Sequence, residues 1–167
     1  MKKKSKLFKN IKTTALILFC VSLVLLLFSV KRFLVEIFLF VFCLIFMIRF
    51  GQFFILDVDP VPFCAILLMH LFDFQAALNF VFLTLPIVDV VSGRFSHFTF
   101  INFISILASI LVLALLPVSA LLLGIPIFNL FRTALALFFG LGPQMIGYNL
   151  VHMVIYFMVG SVLSFFM

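Results

Sequence analysis

The chain is short of charge and has no tryptophan at all. Only 10% of its 167 residues are charged and 67% are hydrophobic, whereas about a quarter of an ordinary soluble domain is charged. Phenylalanine alone occurs 27 times, and the mean hydropathy is +1.48. This composition excludes a disordered segment, a coiled coil and a nucleic-acid-binding domain. It is typical of an integral membrane protein whose solvent is the lipid bilayer.

The net charge of +6 comes from the N-terminus rather than from a basic surface. Six of the eleven cations lie within the first twelve residues: Lys2, Lys3, Lys4, Lys6, Lys9 and Lys12. The five remaining cations are balanced by five acids. Residues 1–12 are therefore predicted to be a basic cytoplasmic tail that orients the chain, because positive charge stays on the inside of the membrane. No nucleic-acid partner is expected.

Long apolar runs predict one all-α domain over residues 13–167, a polytopic transmembrane bundle of six to seven helices. The predicted spans are 13–30, 33–56, 60–72, 74–91, 98–116, 118–139 and 144–166. The span at 60–72 is too short to cross about 30 Å of hydrocarbon by itself, so neighbouring helices should shield it. The first run is longer than a signal-peptide core and is expected to remain uncleaved.

The chain is expected to be a multi-pass protein of the cell membrane, with its basic N-terminus in the cytoplasm and seven crossings. The segments 57–62 and 92–97 then lie inside and the C-terminus lies outside, which satisfies the positive-inside rule. If one segment does not cross, everything downstream of it inverts.

The chain lacks the motifs that would name a reaction. Its three cysteines, Cys20, Cys43 and Cys64, show no Cys-x-x-Cys spacing and are predicted to be small apolar fillers. Neither a His-Glu-x-x-His zinc motif nor the serine motif of an intramembrane protease occurs. Asp57-x-Asp59 is more typical of a solvated turn than of a magnesium site. No catalytic residue, metal or cofactor is predicted.

Arg132 is the cation that lies deepest in a predicted span, with Asn129 one turn before it. An ionisable group at membrane depth costs a few kcal/mol, so it should face the bundle interior or find a partner. No acid shares its span, and by elimination the partner is Asp89 or Asp73. A structural ion pair and a cation that anchors a ligand both remain open.

The last span carries a polar and aromatic stripe. Tyr148, His152 and Tyr156 recur every four residues, with Asn149 beside them, so they share one helix face. Such a stripe either hydrogen-bonds neighbouring helices or forms the wall of a small-molecule cavity. Both interpretations stay open at the level of sequence.

Several motifs together resemble a group of small six-helix membrane proteins. They are Asp-Pro-Val-Pro-Phe at 59–63 followed by a short helix, Gln75-Ala-Ala, Asp89-Val-Val-Ser-Gly, and Asn149 early in the last helix. Over residues 33–166 the chain resembles the S components of energy-coupling-factor (ECF) vitamin transporters and, similarly, the rod-shape-determining protein MreD. It departs from the S components in lacking their Ala-x-x-x-Ala docking pattern and in having an additional helix before the match.

The first resemblance implies a transport subunit that captures or passes a small molecule, and the second implies a scaffold whose partner is a morphogenesis protein. The predicted binding residues are Asn129, Arg132, Tyr148, Asn149, His152 and Tyr156. The predicted gate is formed by Asp57, Asp59, Ser92, Arg94 and His97. The expected partners are the lipid bilayer, other membrane subunits and a small-molecule ligand.

Overall fold

A computed structural model describes residues 30–50, 59–116, 120–142 and 144–166, and over these ranges the chain forms six α-helices and no strand. The helices are α1 (Val30–Phe50), α2 (Pro60–Leu71), α3 (Phe74–Val91), α4 (His97–Leu115), α5 (Ala120–Phe138) and α6 (Gln144–Phe166). The predicted all-α fold is confirmed. The predicted tail at 1–12 and all but the last residue of the span at 13–30 lie outside the described residues.

Within the ranges described above, four helices are long and apolar enough to cross a membrane. They are α1, α3, α4 and residues Leu121–Phe138 of α5, with window hydropathies between 1.8 and 2.6. Apolar side chains such as Phe38, Leu83 and Leu130 are largely exposed on these helices. In water such surfaces would drive aggregation, whereas in lipid they are solvated. The chain is therefore a helical membrane protein.

The contacts within the chain divide it into two compact units, Met1–Val35 and Glu36–Met167. In the second unit α2 contacts α3, α4 and α5, and α6 contacts α5. The connections from α2 to α6 are short, so successive helices run antiparallel. As a result α2, α4 and α6 begin, and α3 and α5 end, at the same end of the bundle. We call this the cavity end.

Helix α2 is short because it lies inside the bundle. Its 12 residues reach only about 18 Å at 1.5 Å per residue, and eight of them are buried. Asp59 caps its N-terminus by accepting a hydrogen bond from the backbone N–H of Val61 at 3.0 Å. Pro60 and Pro62 lie in the first turn, where the missing N–H groups break no helical hydrogen bond. This is the shielding expected for a segment too short to span.

Gly124 allows α5 to approach α2 and α4 closely. A Cβ atom at this position would lie 2.6 Å from Ile66 Cγ2 and 2.8 Å from Leu113 Cδ1. Small residues at such crossings are the usual means of bringing membrane helices together. The close approach positions α5, which carries Arg132 into the interior of the bundle.

The helix bounds agree with the predicted spans to within two residues for α2 to α6. The exception is α1, which already includes Lys31 and Arg32, although the sequence placed these residues between two spans. Both residues are good helix formers, and their long side chains can keep the charge in a polar environment while the backbone remains helical.

Candidate functional site

A cavity of about 350 Å³ lies at the cavity end of the bundle. Most of its lining residues have a polar or charged side chain. The lining residues are Asp59, Asp89, Gly93, Arg94, Ser96, Phe98, Thr99, Asn102, Arg132 and Tyr148. Two carboxylates and two guanidinium groups therefore share one small space, which we call the charged cavity. Its volume corresponds to about a dozen water molecules in the liquid, at roughly 30 Å³ each.

The N-terminus of α2 places Asp59 in the charged cavity. One carboxylate oxygen, Oδ1, caps the helix through Val61, and the other, Oδ2, accepts a hydrogen bond from Asn102 Nδ2 of α4 at 3.4 Å. Asp59 is only 3% exposed. The Oδ1 atom of Asn102 is buried without a hydrogen-bond partner. Asn102 therefore supports Asp59 from a wall of the cavity and keeps one buried acceptor without a partner.

The loop between α3 and α4 forms the second wall. Gly93 adopts a φ of +70°, a conformation that favours glycine, and turns the chain so that Arg94 N donates to the carbonyl oxygen of Asp89 at 2.8 Å. Ser96 then caps α4 in a capping box with Thr99. These local bonds fix the end of α3 next to the start of α4, so the Asp89 and Thr99 side chains line the same cavity.

Arg132 enters the charged cavity from α5 and is only 2% exposed. Of its two predicted partners, Asp89 lines the same cavity and is 5% exposed. Asp73 instead caps the start of α3, where it accepts from Ala76 N, at the opposite end of the bundle. Asp59 is a second carboxylate in this cavity, and it was not one of the two acids predicted as partners of Arg132. The two acids lower the cost of burying the guanidinium group.

Arg94 and Tyr148 complete the lining of the cavity. Arg94 is half-buried, and its Nη1 atom donates to Met47 Sδ on α1 at 3.9 Å. Tyr148, in the first turns of α6, is exposed by 41%. Both side chains are therefore more exposed than that of Arg132.

The other predicted binding residues lie away from the charged cavity. Asn129 Oδ1 is 3.1 Å from His152 Nδ1, and Asn149 Nδ2 donates to Thr133 Oγ1 at 2.7 Å. The ring of Tyr156 stacks on Phe63 and lies edge-on to His152. The polar stripe of α6 thus connects α6 to α5 and α2. Of the two interpretations left open by the sequence, these contacts match hydrogen bonding between helices.

A groove between α5 and α6 borders this stripe. It has a volume of about 480 Å³. Its lining is mostly aliphatic, and we call it the α5–α6 groove: Leu123, Pro126, Ile127, Asn129, Leu130, Thr133, Ile146, Asn149, Leu150 and Met153. Asn149 Oδ1 is buried there without a hydrogen-bond partner.

The residues predicted to form the gate do not all lie in one place. Asp57 lies outside the described residues. Ser92 Oγ donates to the carbonyl oxygen of Asp89 at 3.3 Å, so it supports the turn rather than lining the cavity. His97 is exposed and lines a different pocket of about 400 Å³, together with Phe100 and Phe139. Asp59 and Arg94 are the two that line the charged cavity.

Sequence reasoning missed the contribution of α4. Thr99, Asn102, Ser105 and Ser109 are all buried on this helix, and their spacing of three, three and four places them on one face. Ser105 and Ser109 satisfy their hydroxyl groups by donating to carbonyl oxygens four residues earlier, whereas the first two residues reach the cavity. These polar residues recur at helical spacing in an otherwise apolar run, and this pattern in the sequence could have indicated them.

Comparison with protein-family models, with curated proteins and with solved structures finds no match to this chain.

Proposed function

We propose that the protein is a membrane subunit that binds a small zwitterionic molecule in the charged cavity and captures it or passes it on. One observation supports the proposal above all others. Two carboxylates and two guanidinium groups surround a cavity of about 350 Å³ at one end of a membrane helix bundle. Ionisable groups inside a membrane protein are expensive, and they commonly mark a substrate or ion pathway.

The balance of charge indicates the class of ligand. Asp59 and Asp89 carry two negative charges, and Arg94 and Arg132 carry two positive charges, so the lining is neutral in sum. A ligand with a single charge would leave one uncompensated charge in a medium of low dielectric constant, which is costly. A zwitterion brings one charge of each sign and keeps the cavity neutral. Its charged ends would meet a carboxylate and a guanidinium group.

The resemblance to ECF S components suggests that this binding activity would serve transport. A subunit of that kind captures a substrate, and concentrative uptake then requires partner subunits that hydrolyse ATP. The motif at 59–63 begins with Asp59, and the motif at 89–93 begins with Asp89, and both of these residues line the cavity. The segments that carry the resemblance are therefore the ones that supply its carboxylates.

A second candidate function is a scaffold of the MreD type, without transport. It is favoured by the α5–α6 groove, which presents a concave and mostly apolar surface. It is also favoured by the polar stripe of α6, which is used for contacts between helices. On this hypothesis the charged cavity is a structural ion cluster, and the expected partner is another membrane subunit.

Thermal unfolding in mild detergent tests the binding proposal. A zwitterion present at about 100 times its Kd stabilises the folded state by about 2.7 kcal/mol, which corresponds to a rise in Tm of roughly 5–10 °C for a chain of this size. We expect such a rise with members of a panel of amino acids and betaines. Carboxylic acids and amines of matched length, which carry one charge, should give little change. Equal shifts with all three classes, or no shift at all, would count against the proposal.

We also propose that the cavity end faces the cytoplasm and that the protein resides in the cell membrane with its N-terminus inside. Arg49 and Arg94 lie at this end, and the six lysines of residues 1–12 are expected on the same side of the membrane. Together they outnumber Lys31 and Arg32 at the start of α1, as the positive-inside rule requires. A membrane-impermeant thiol reagent should label His97→Cys only after cells are permeabilised. Asp73→Cys, at the opposite end, should react in intact cells. The reverse pattern would place the cavity outside.

A further inference from the structure

Two cysteines from different helices lie side by side in the interior. The Sγ atoms of Cys43 on α1 and Cys64 on α2 are 3.6 Å apart, and both are free thiols. Their side chains are 0% and 1% exposed. The residues are 21 positions apart in the sequence and belong to the Glu36–Met167 unit. Both side chains are buried, as expected of small fillers, and their sulfur atoms also contact each other.

A third sulfur lies on the same helix face as Cys43. Met47 follows Cys43 by four residues, one turn of α1, so their side chains project from the same side. Met47 is 2% exposed and thus also interior. Its Sδ atom accepts the hydrogen bond from Arg94 Nη1. Two thiols and a thioether therefore occupy adjoining positions between α1, α2 and the α3–α4 loop.

We propose that Cys43, Cys64 and Met47 form a binding site for a soft monovalent cation of the Cu(I) class. Thiolate and thioether ligands select Cu(I) over the harder divalent ions. Two sulfur ligands at about 2.3 Å from one metal, at the roughly 120° angle of a three-coordinate site, stand about 4.0 Å apart. The observed separation of 3.6 Å therefore requires a movement of only a few tenths of an ångström.

The ligand set itself favours Cu(I) over zinc. A structural zinc site takes four ligands from cysteine, histidine and carboxylate groups. Within the parts of the chain that the structure describes, no group of three or more such residues is placed to hold a metal ion. Two thiolates supplemented by a thioether satisfy Cu(I), which accepts low coordination numbers and sulfur donors.

A cation lies next to the proposed site. Metal binding requires thiolates, so coordination of one Cu(I) ion by both cysteines releases two thiol protons to water. The two thiolates and the ion together carry one negative charge. The guanidinium group of Arg94, which contacts Met47, lies close enough to attract this charge, although it also faces the carboxylates of the charged cavity. Because Arg94 also lines the charged cavity, the ion can approach from that side.

An anaerobic titration of the full-length reduced protein with Cu(I), in competition with a chromogenic Cu(I) chelator, tests the site. The wild type should bind one ion tightly. Cys43→Ser and Cys64→Ser should each weaken binding by at least about 100-fold, and Met47→Leu should weaken it by about 10-fold, in the range seen when groups that tune a metal site are removed. Cys20→Ser leaves the pair intact and serves as the matched control.

Two results would overturn the proposal. One is binding that Cys43→Ser and Cys64→Ser leave as tight as in the control. The other is the absence of Cu(I) binding in the wild type when its thermal unfolding shows that it is folded. If Cu(II) or oxygen merely oxidises the pair to a disulfide, and the reduced protein takes up no ion, the site is a redox pair instead. This inference does not depend on the binding activity of the charged cavity.

Discussion

Replacement of Arg132 by methionine should lower the free energy of unfolding by about 3–5 kcal/mol, the usual cost of removing one partner from a buried cluster of charges. Arg132 is 2% exposed and shares the charged cavity with Asp59 and Asp89, which are also buried. Methionine fills a similar volume but leaves the two carboxylates without this cation. Equilibrium unfolding in detergent, followed by circular dichroism, measures the change.

Two further variants separate the effect of charge from that of packing. Arg94→Met removes a half-buried cation and should cost about 1 kcal/mol or less. The double variant Asp89→Asn, Arg132→Met leaves one carboxylate, Asp59, and one guanidinium group, Arg94, in the lining, so the lining stays neutral and most of the lost stability should be recovered. If this double variant is as unstable as Arg132→Met alone, charge compensation is not what Arg132 contributes.

Replacement of Asn102 by leucine should abolish most of the affinity for the zwitterion that stabilises the wild type. Asn102 lines the charged cavity, donates to Asp59 through Nδ2, and has a buried Oδ1 atom without a partner. Loss of a hydrogen bond in a buried site costs about 1–3 kcal/mol, and 1.4 kcal/mol corresponds to a tenfold change in Kd. We therefore expect the Kd to rise by about 10- to 100-fold in isothermal titration calorimetry.

Asn149 provides a matched control for this experiment. It is likewise a buried asparagine whose Nδ2 atom bonds a neighbouring helix and whose Oδ1 atom has no partner. It lines the α5–α6 groove rather than the charged cavity. Asn149→Leu should therefore leave the Kd within about twofold, since it removes no group of the cavity. A larger loss in Asn149→Leu than in Asn102→Leu would move the binding site to the polar stripe of α6.

The helices could be predicted because each one is a long apolar run closed by a polar or proline-rich break. Asp59 and Pro60 mark the start of α2, and Asp73 marks the start of α3. These signals are local, and a helix in lipid must satisfy its own backbone hydrogen bonds. The fold class and the bounds from α2 onward were therefore accessible from the sequence alone.

The composition of the site was less accessible because it depends on which helices are neighbours. The stripe of Tyr148, His152 and Tyr156 was correctly placed on one helix, but its spacing does not say whether that face meets a cavity or another helix. Only Tyr148 reaches the charged cavity. The pairing of Cys43 with Cys64 depends in the same way on α1 meeting α2, which no pattern in either helix reveals.

The most direct test of the central claim, that the charged cavity holds a small zwitterion, is to identify what the native protein carries. The protein is purified in mild detergent without prolonged washing, then denatured, and the released small molecules are identified by mass spectrometry beside those from Asn102→Leu. We expect one zwitterionic metabolite in near-stoichiometric amount from the wild type and much less from the variant. Release of lipid alone from both proteins, with both folded, would contradict the central claim and favour the scaffold.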